Sequence, residues 1–122
     1  QKPPLDEALT STARTVQLFL DDIRMHPEHL ALEWTVPEMA HSCGLSLTQF
    51  IQVVKRLTNC TPLQFLNDRR LELAERLLRH SELASISEVA QGCGFSTSQY
   101  FAVVFSRKHG CSPSEFRAQH KG

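Results

Sequence analysis

Thr48, Ile51, Gln52 and Lys55 follow one another at i, i+3, i+4 and i+7, and Gln99, Ala102, Val103 and Ser106 repeat that spacing further along the chain. On a helix, such spacing places each set on one face. The groups offered are hydroxyl, amide, methyl and ammonium, which donate, accept or lie against apolar surface but do not attack a bond. Ser46, Ser96, Ser98 and Tyr100 add hydroxyls beside these faces, and Arg56, Arg107 and Lys108 add cations. No Ser/His/Asp or Cys/His constellation, phosphate-binding glycine loop or pair of carboxylates can be assembled, so the chain does not read as an enzyme. The chemistry on offer is recognition.

The elements that carry these faces are written twice. VPEMAHSCGLS (36–46) aligns with ISEVAQGCGFS (86–96), and after one inserted residue FIQVVKRLTNCTPLQF (50–65) aligns with FAVVFSRKHGCSPSEF (101–116). Eleven identities fall in order, from Glu38 and Glu88 through Gly44 and Gly94 to Phe65 and Phe116. Two copies are too few for a solenoid and indicate a duplicated supersecondary unit. In each copy a short helix (36–42, 86–92) ends at a glycine that tolerates positive φ, Gly44 or Gly94. Leu45 or Phe95 then plugs the angle, and Ser46 or Ser96 is placed to cap a second helix. That helix turns Phe50, Val53, Val54 and Leu57, or Phe101, Val104 and Phe105, to a core. Helix, tight turn, capped second helix: each copy is a helix-turn-helix.

The remainder is helical as well. Ala8 to Met25 reads as an amphipathic helix with Val16, Leu20 and Ile23 on its apolar side. Pro62 to about Arg79 reads as one long helix with Leu63, Leu66, Leu73, Ala74 and Leu77 inward. Pro113 opens a last helix to about Gln119. The expected fold is all-α with about seven helices, divided into a flexible tail (1–7), a first subdomain (8–61), a linker helix (62–80) and a second subdomain (81–122).

Composition sets bounds on partners. The chain has 122 residues, 41% hydrophobic and 21% charged, with a formal net charge of zero. Three basic and six acidic residues lie up to Trp34, and ten basic and seven acidic from Thr35, so the repeat is mildly basic. No apolar run approaches the roughly 20 residues that span a bilayer. The four cysteines occupy matching places in the repeat and the six histidines are scattered, which implies reduced thiols, no metal, no cofactor and a cytoplasmic setting. The chain opens on Gln1 rather than Met, which suggests a piece of a longer protein.

Two helix-turn-helix units on a strut of about 27 Å suit double-stranded DNA, whose successive major-groove faces lie about 34 Å apart. Base contacts are expected from Thr48, Ile51, Gln52, Ser98, Gln99 and Val103. Glutamine bridges adenine N6 and N7, and Ile or Val covers a thymine methyl. Phosphate contacts are expected from Ser46, Lys55, Arg56, Ser96, Tyr100, Arg107 and Lys108.

The segment ISEVAQGCGFSTSQYFAVVFSRKHGCSPSEFR (86–117) carries the I-x-x-V-A opening, GFS, the Tyr-Phe pair, Gly110, Ser112-Pro113 and a closing Phe116-Arg117. RRLELAERLL (69–78) adds an R-L-x-x-A-x-x-L-L phrase. Together they resemble the DNA-binding module of AraC/XylS-type transcription regulators, over roughly residues 10 to 119. The resemblance implies promoter binding, RNA polymerase as a partner and a separate sensing or oligomerisation domain. It also marks departures. Gln52 and Val103 stand where that family usually carries arginine, Ser106 stands for lysine, and Asn59 for the glycine closing the first recognition helix. Without the arginines a bidentate guanine contact worth about 1–3 kcal/mol is missing, and an A·T-leaning site is expected. The missing arginines and the zero net charge leave an alternative: a degenerate helix-turn-helix used for protein interaction.

Overall fold

A computed structural model of the protein describes residues 4–31, 34–80 and 84–120. Seven α-helices are present among them: α1 (Pro4–Met25), α2 (Val36–Ser42), α3 (Leu47–Thr58), α4 (Pro62–His80), α5 (Ile86–Gly92), α6 (Ser98–His109) and α7 (Pro113–Gln119). A short 3-10 helix at Pro27–Ala31 comes directly after α1 in the chain. The fold is all-α, with no strand among the described residues. α1 begins at Pro4 rather than Ala8. Proline is accommodated in a first helical turn, where its missing N–H has no partner to lose.

Helix starts are set by local chemistry. The Thr35 hydroxyl accepts from the Glu38 N–H ahead of α2. Thr61 and Gln64 bond reciprocally at the start of α4, as do Ser85 and Glu88 at α5 and Ser112 and Glu115 at α7. Each such cap is worth about 0.5–2 kcal/mol. Hydrogen bonds from Ser85 and Ser112 also hold the Glu88 and Glu115 carboxyls below their ordinary range.

The residues fall into two compact units. In the first, α1 and α2 both pack on α3, and Val16, Leu20 and Ile23 of α1, Met39 and Ala40 of α2, and Phe50, Val53 and Val54 of α3 are all buried. Phe19 meets Trp34 and Phe50 edge-on at 5.6 and 6.3 Å. The acidic first helix thus covers the core of the first helix-turn-helix.

The second unit comprises Asn67 onward together with the 3-10 helix. Its core gathers Leu71, Ala74 and Leu78 of α4 around Val89, Cys93, Phe95, Phe101, Phe105 and Phe116. Of the residues expected inward on α4, Leu66 and Ala74 are buried, Leu73 and Leu77 are only half-buried and Leu63 is exposed, while Leu71 and Leu78 are buried instead. The phenylalanine cluster sits against Leu71, Ala74 and Leu78, and that selects the face. Arg70 is buried on the same side, its Nε donating to the Leu30 carbonyl at 3.3 Å and its guanidinium 6.0 Å from the Phe95 ring. Burial lowers its pKa. Arg117 donates to the Ala84 carbonyl at 2.7 Å and so ties α7 to the start of α5.

All four cysteines are free thiols. Burial pushes Cys93 up to about 12, against the opposing charges of Arg70 and Arg76, so it stays a neutral apolar filler at physiological pH. No helix is long and apolar enough to cross a membrane among the described residues.

Candidate nucleic-acid interface

In the first unit, the turn before α3 passes through Gly44 at φ 69°. Ser46 then caps α3: its Oγ accepts from the Gln49 N–H, and Gln49 Oε1 accepts from the Ser46 N–H at 3.3 Å. The Ser46 hydroxyl also donates to Gln49 Oε1 at 3.1 Å, so its proton is held inside the helix start. After the twelve residues of α3, Asn59 closes the helix in the left-handed conformation, φ 62°, as its side chain permits. With Phe50, Val53 and Val54 buried, Thr48, Gln52, Lys55 and Arg56 are exposed and Ile51 is half-buried. Leu47, which the sequence left unassigned, is 44% exposed at the first position of α3. Its place at i−4 from Ile51 extends the apolar part of this face; an apolar residue directly after a capping serine was the available signal.

In the second unit, the turn passes through Gly94 at φ 90°. The cap of α6 is Thr97, not Ser96 as expected: the Thr97 hydroxyl accepts from the Tyr100 N–H at 3.0 Å. The inserted residue lies between Ser96 and the helix, so the cap moves one place along and leaves Ser96 exposed in the turn. Phe101 and Phe105 are buried, and Gln99, Arg107 and Lys108 are exposed. Val103 is half exposed, at 50%, so it does not belong to the core. Ser98 is half-buried. Gly110, φ 74°, ends α6.

One of the expected cations differs from the others in its surroundings. Lys108 Nζ lies 3.6 Å from Glu75 Oε1 on α4, and the same oxygen is 2.6 Å from His109 Nε2. Lys55, Arg56 and Arg107 have no carboxylate within ion-pair distance among the described residues, and their charge stands outward. Tyr100 is tied down too, its hydroxyl oxygen accepting from Asn67 Nδ2 at 2.9 Å. Among the described residues no group of three or more His, Cys, Asp and Glu is arranged to hold a metal.

Beside this geometry stands a family match: the model of a helix-turn-helix domain family covers residues 39–119. Over its full 122 residues the chain is 36% identical to the HTH-type transcriptional activator RhaS of Escherichia coli. The chain belongs to the AraC/XylS-type helix-turn-helix family. It spans 42% of the length of the curated relatives it matches. Solved structures agree with an AraC/XylS-type module. The DNA-binding domain of AdpA, solved in complex with a target DNA, superposes with a TM-score of 0.76 at 32% identity over 84% of this chain and 91% of that one. The C-terminal domain of AraT, a response regulator from Geobacillus stearothermophilus, gives 0.79 at 25% identity over 88% and 87%.

Proposed function

We propose that this AraC/XylS-type module binds double-stranded DNA sequence-specifically and regulates transcription, with α3 and α6 as recognition helices entering successive major grooves. The observation that carries this reading is internal to each unit. α3 buries Phe50, Val53 and Val54 and α6 buries Phe101 and Phe105, while Thr48 and Gln52 on the opposite face of α3 and Gln99 and Val103 on that of α6 are exposed. Thr48, Ile51 and Gln52, joined by Leu47, are proposed to read bases from α3, and Ser98, Gln99 and Val103 from α6. Lys55, Arg56, Ser96, Tyr100 and Arg107 are proposed to hold phosphates. Lys108 joins them only by leaving Glu75, and Ser46 only by opening its bond to Gln49. RNA polymerase as a partner and a separate sensing or oligomerisation domain, which the family resemblance implies, complete the proposal.

Selection of bound duplexes from a random pool tests it. A·T-rich half-sites about one helical turn apart are expected, since glutamine pairs with adenine and Leu, Ile and Val cover thymine methyls. Recovery of G·C-rich sites, or of no preferred sequence, would refute the assignment. Arg107→Ala is expected to weaken binding to all duplexes alike and to reduce the slope of log K against log salt by about one unit. A changed base preference in that variant would move Arg107 from backbone to base contact.

A further inference from the structure

The two recognition helices use the same position differently. The third residue of α3 is Gln49, and its side chain turns back to accept the Ser46 N–H, completing a reciprocal cap. The third residue of α6 is Tyr100, which receives the cap from Thr97 through its backbone but has no group to return it. Its side chain runs instead to α4, where Asn67 Nδ2 donates to the phenol oxygen at 2.9 Å. The ring is held on its other side by Phe95, with centroids 6.1 Å apart and Phe95 itself buried. Ring contact and hydrogen bond together determine both torsions of a side chain that is still 39% exposed.

A tyrosine hydroxyl has one proton and two lone pairs. Because Asn67 is the donor, the proton of Tyr100 takes no part in that bond and is available to an acceptor in solvent. We infer that Asn67 is a positioning residue that holds Tyr100 with its O–H presented to a phosphate of the duplex, an inference that rests on the DNA-binding reading above. The duplicated position has thus divided its labour: it closes the helix start in the first unit and supplies a fixed neutral donor in the second. A side chain already held in place loses little freedom on binding, so more of its hydrogen bond appears as affinity.

The test uses the whole chain, the duplexes selected above and a duplex of random sequence. Tyr100→Phe is expected to weaken binding to both by about tenfold, as loss of a hydrogen bond to a charged group does. Its salt slope is expected to be unchanged, because a neutral hydroxyl displaces no counterion. Asn67→Ala is expected to cost about fivefold, and the double variant no more than Tyr100→Phe alone, because both remove one contact. Asn67→Asp is expected to be worse than Asn67→Ala, since a carboxylate would take the Tyr100 proton for itself. Thermal unfolding of the conservative Tyr100→Phe variant, within about 2 °C of the parent, separates binding from folding. Binding by Tyr100→Phe within twofold of the parent, additive losses in the double variant, or Asn67→Asp equal to Asn67→Ala would overturn the inference while DNA binding stands. A parent chain that retains neither duplex would overturn DNA binding, and this inference with it.

Discussion

Gly94→Ala is expected to open the second unit under conditions where Gly44→Ala leaves the first folded. Both glycines have positive φ, 69° at Gly44 and 90° at Gly94, so alanine at either costs about 1–2 kcal/mol in backbone strain. There the likeness ends. A Cβ at Gly44 meets nothing within 4 Å, whereas one at Gly94 falls 1.9 Å from the Leu30 carbonyl oxygen and 2.9 Å from Arg70 Nε. Neither neighbour yields cheaply. The first is backbone and the second belongs to a buried guanidinium bonded to that same oxygen. Parting them breaks that buried hydrogen bond, which adds about 1–3 kcal/mol for each of the two groups. The sum is about 3–8 kcal/mol, a large share of the roughly 5–15 typical of a domain. Amide exchange separates the outcomes: Gly94→Ala should remove protection from α5, α6 and α7, and Gly44→Ala should reduce it modestly in α2 and α3. Equal losses at the two sites would mean that the Leu30 and Arg70 contacts do not govern the turn.

Raising salt from 50 to 200 mM is expected to weaken duplex binding by about 250- to 1,000-fold, a slope of −4 to −5 from four to six neutralised phosphates. A net charge of zero argues for far less, but net charge is the wrong quantity. Counterions are released by the charges that face the duplex, and Lys55, Arg56 and Arg107 stand outward without carboxylate partners among the described residues. Arg69, by contrast, pairs with Glu72 at 2.9 Å, and Lys108 lies beside Glu75. A slope of −2 or shallower would restrict the interface to fewer phosphates. Absence of salt-dependent retention on any duplex is the result expected of a module built for protein interaction alone.

The features legible in the sequence share a short range. Gly44, Gly94 and Gly110 announce turns because no other residue adopts positive φ so readily. Asn59 shares that ability and closes α3 as read. Serine and threonine ahead of an apolar repeat announce helix starts, and spacing of three and four residues separates the buried Phe50, Val53 and Val54 from the exposed Thr48, Gln52 and Lys55. The single inserted residue already strains this logic, since either Ser96 or Thr97 could cap α6 and only the folded turn shows that Thr97 does.

By itself, then, the sequence determined two capped helix-turn-helix repeats and the residues on their outer faces, because hydrogen bonds within four residues and helical periodicity govern both. Tertiary structure alone decided which face of α4 is buried, that Arg70 joins Leu30 across 40 positions, and that Asn67 reaches Tyr100 across 33. It also set Lys108 beside Glu75. Such pairs are selected when distant segments pack around a shared core, and no local pattern records which side chains that packing brings within reach.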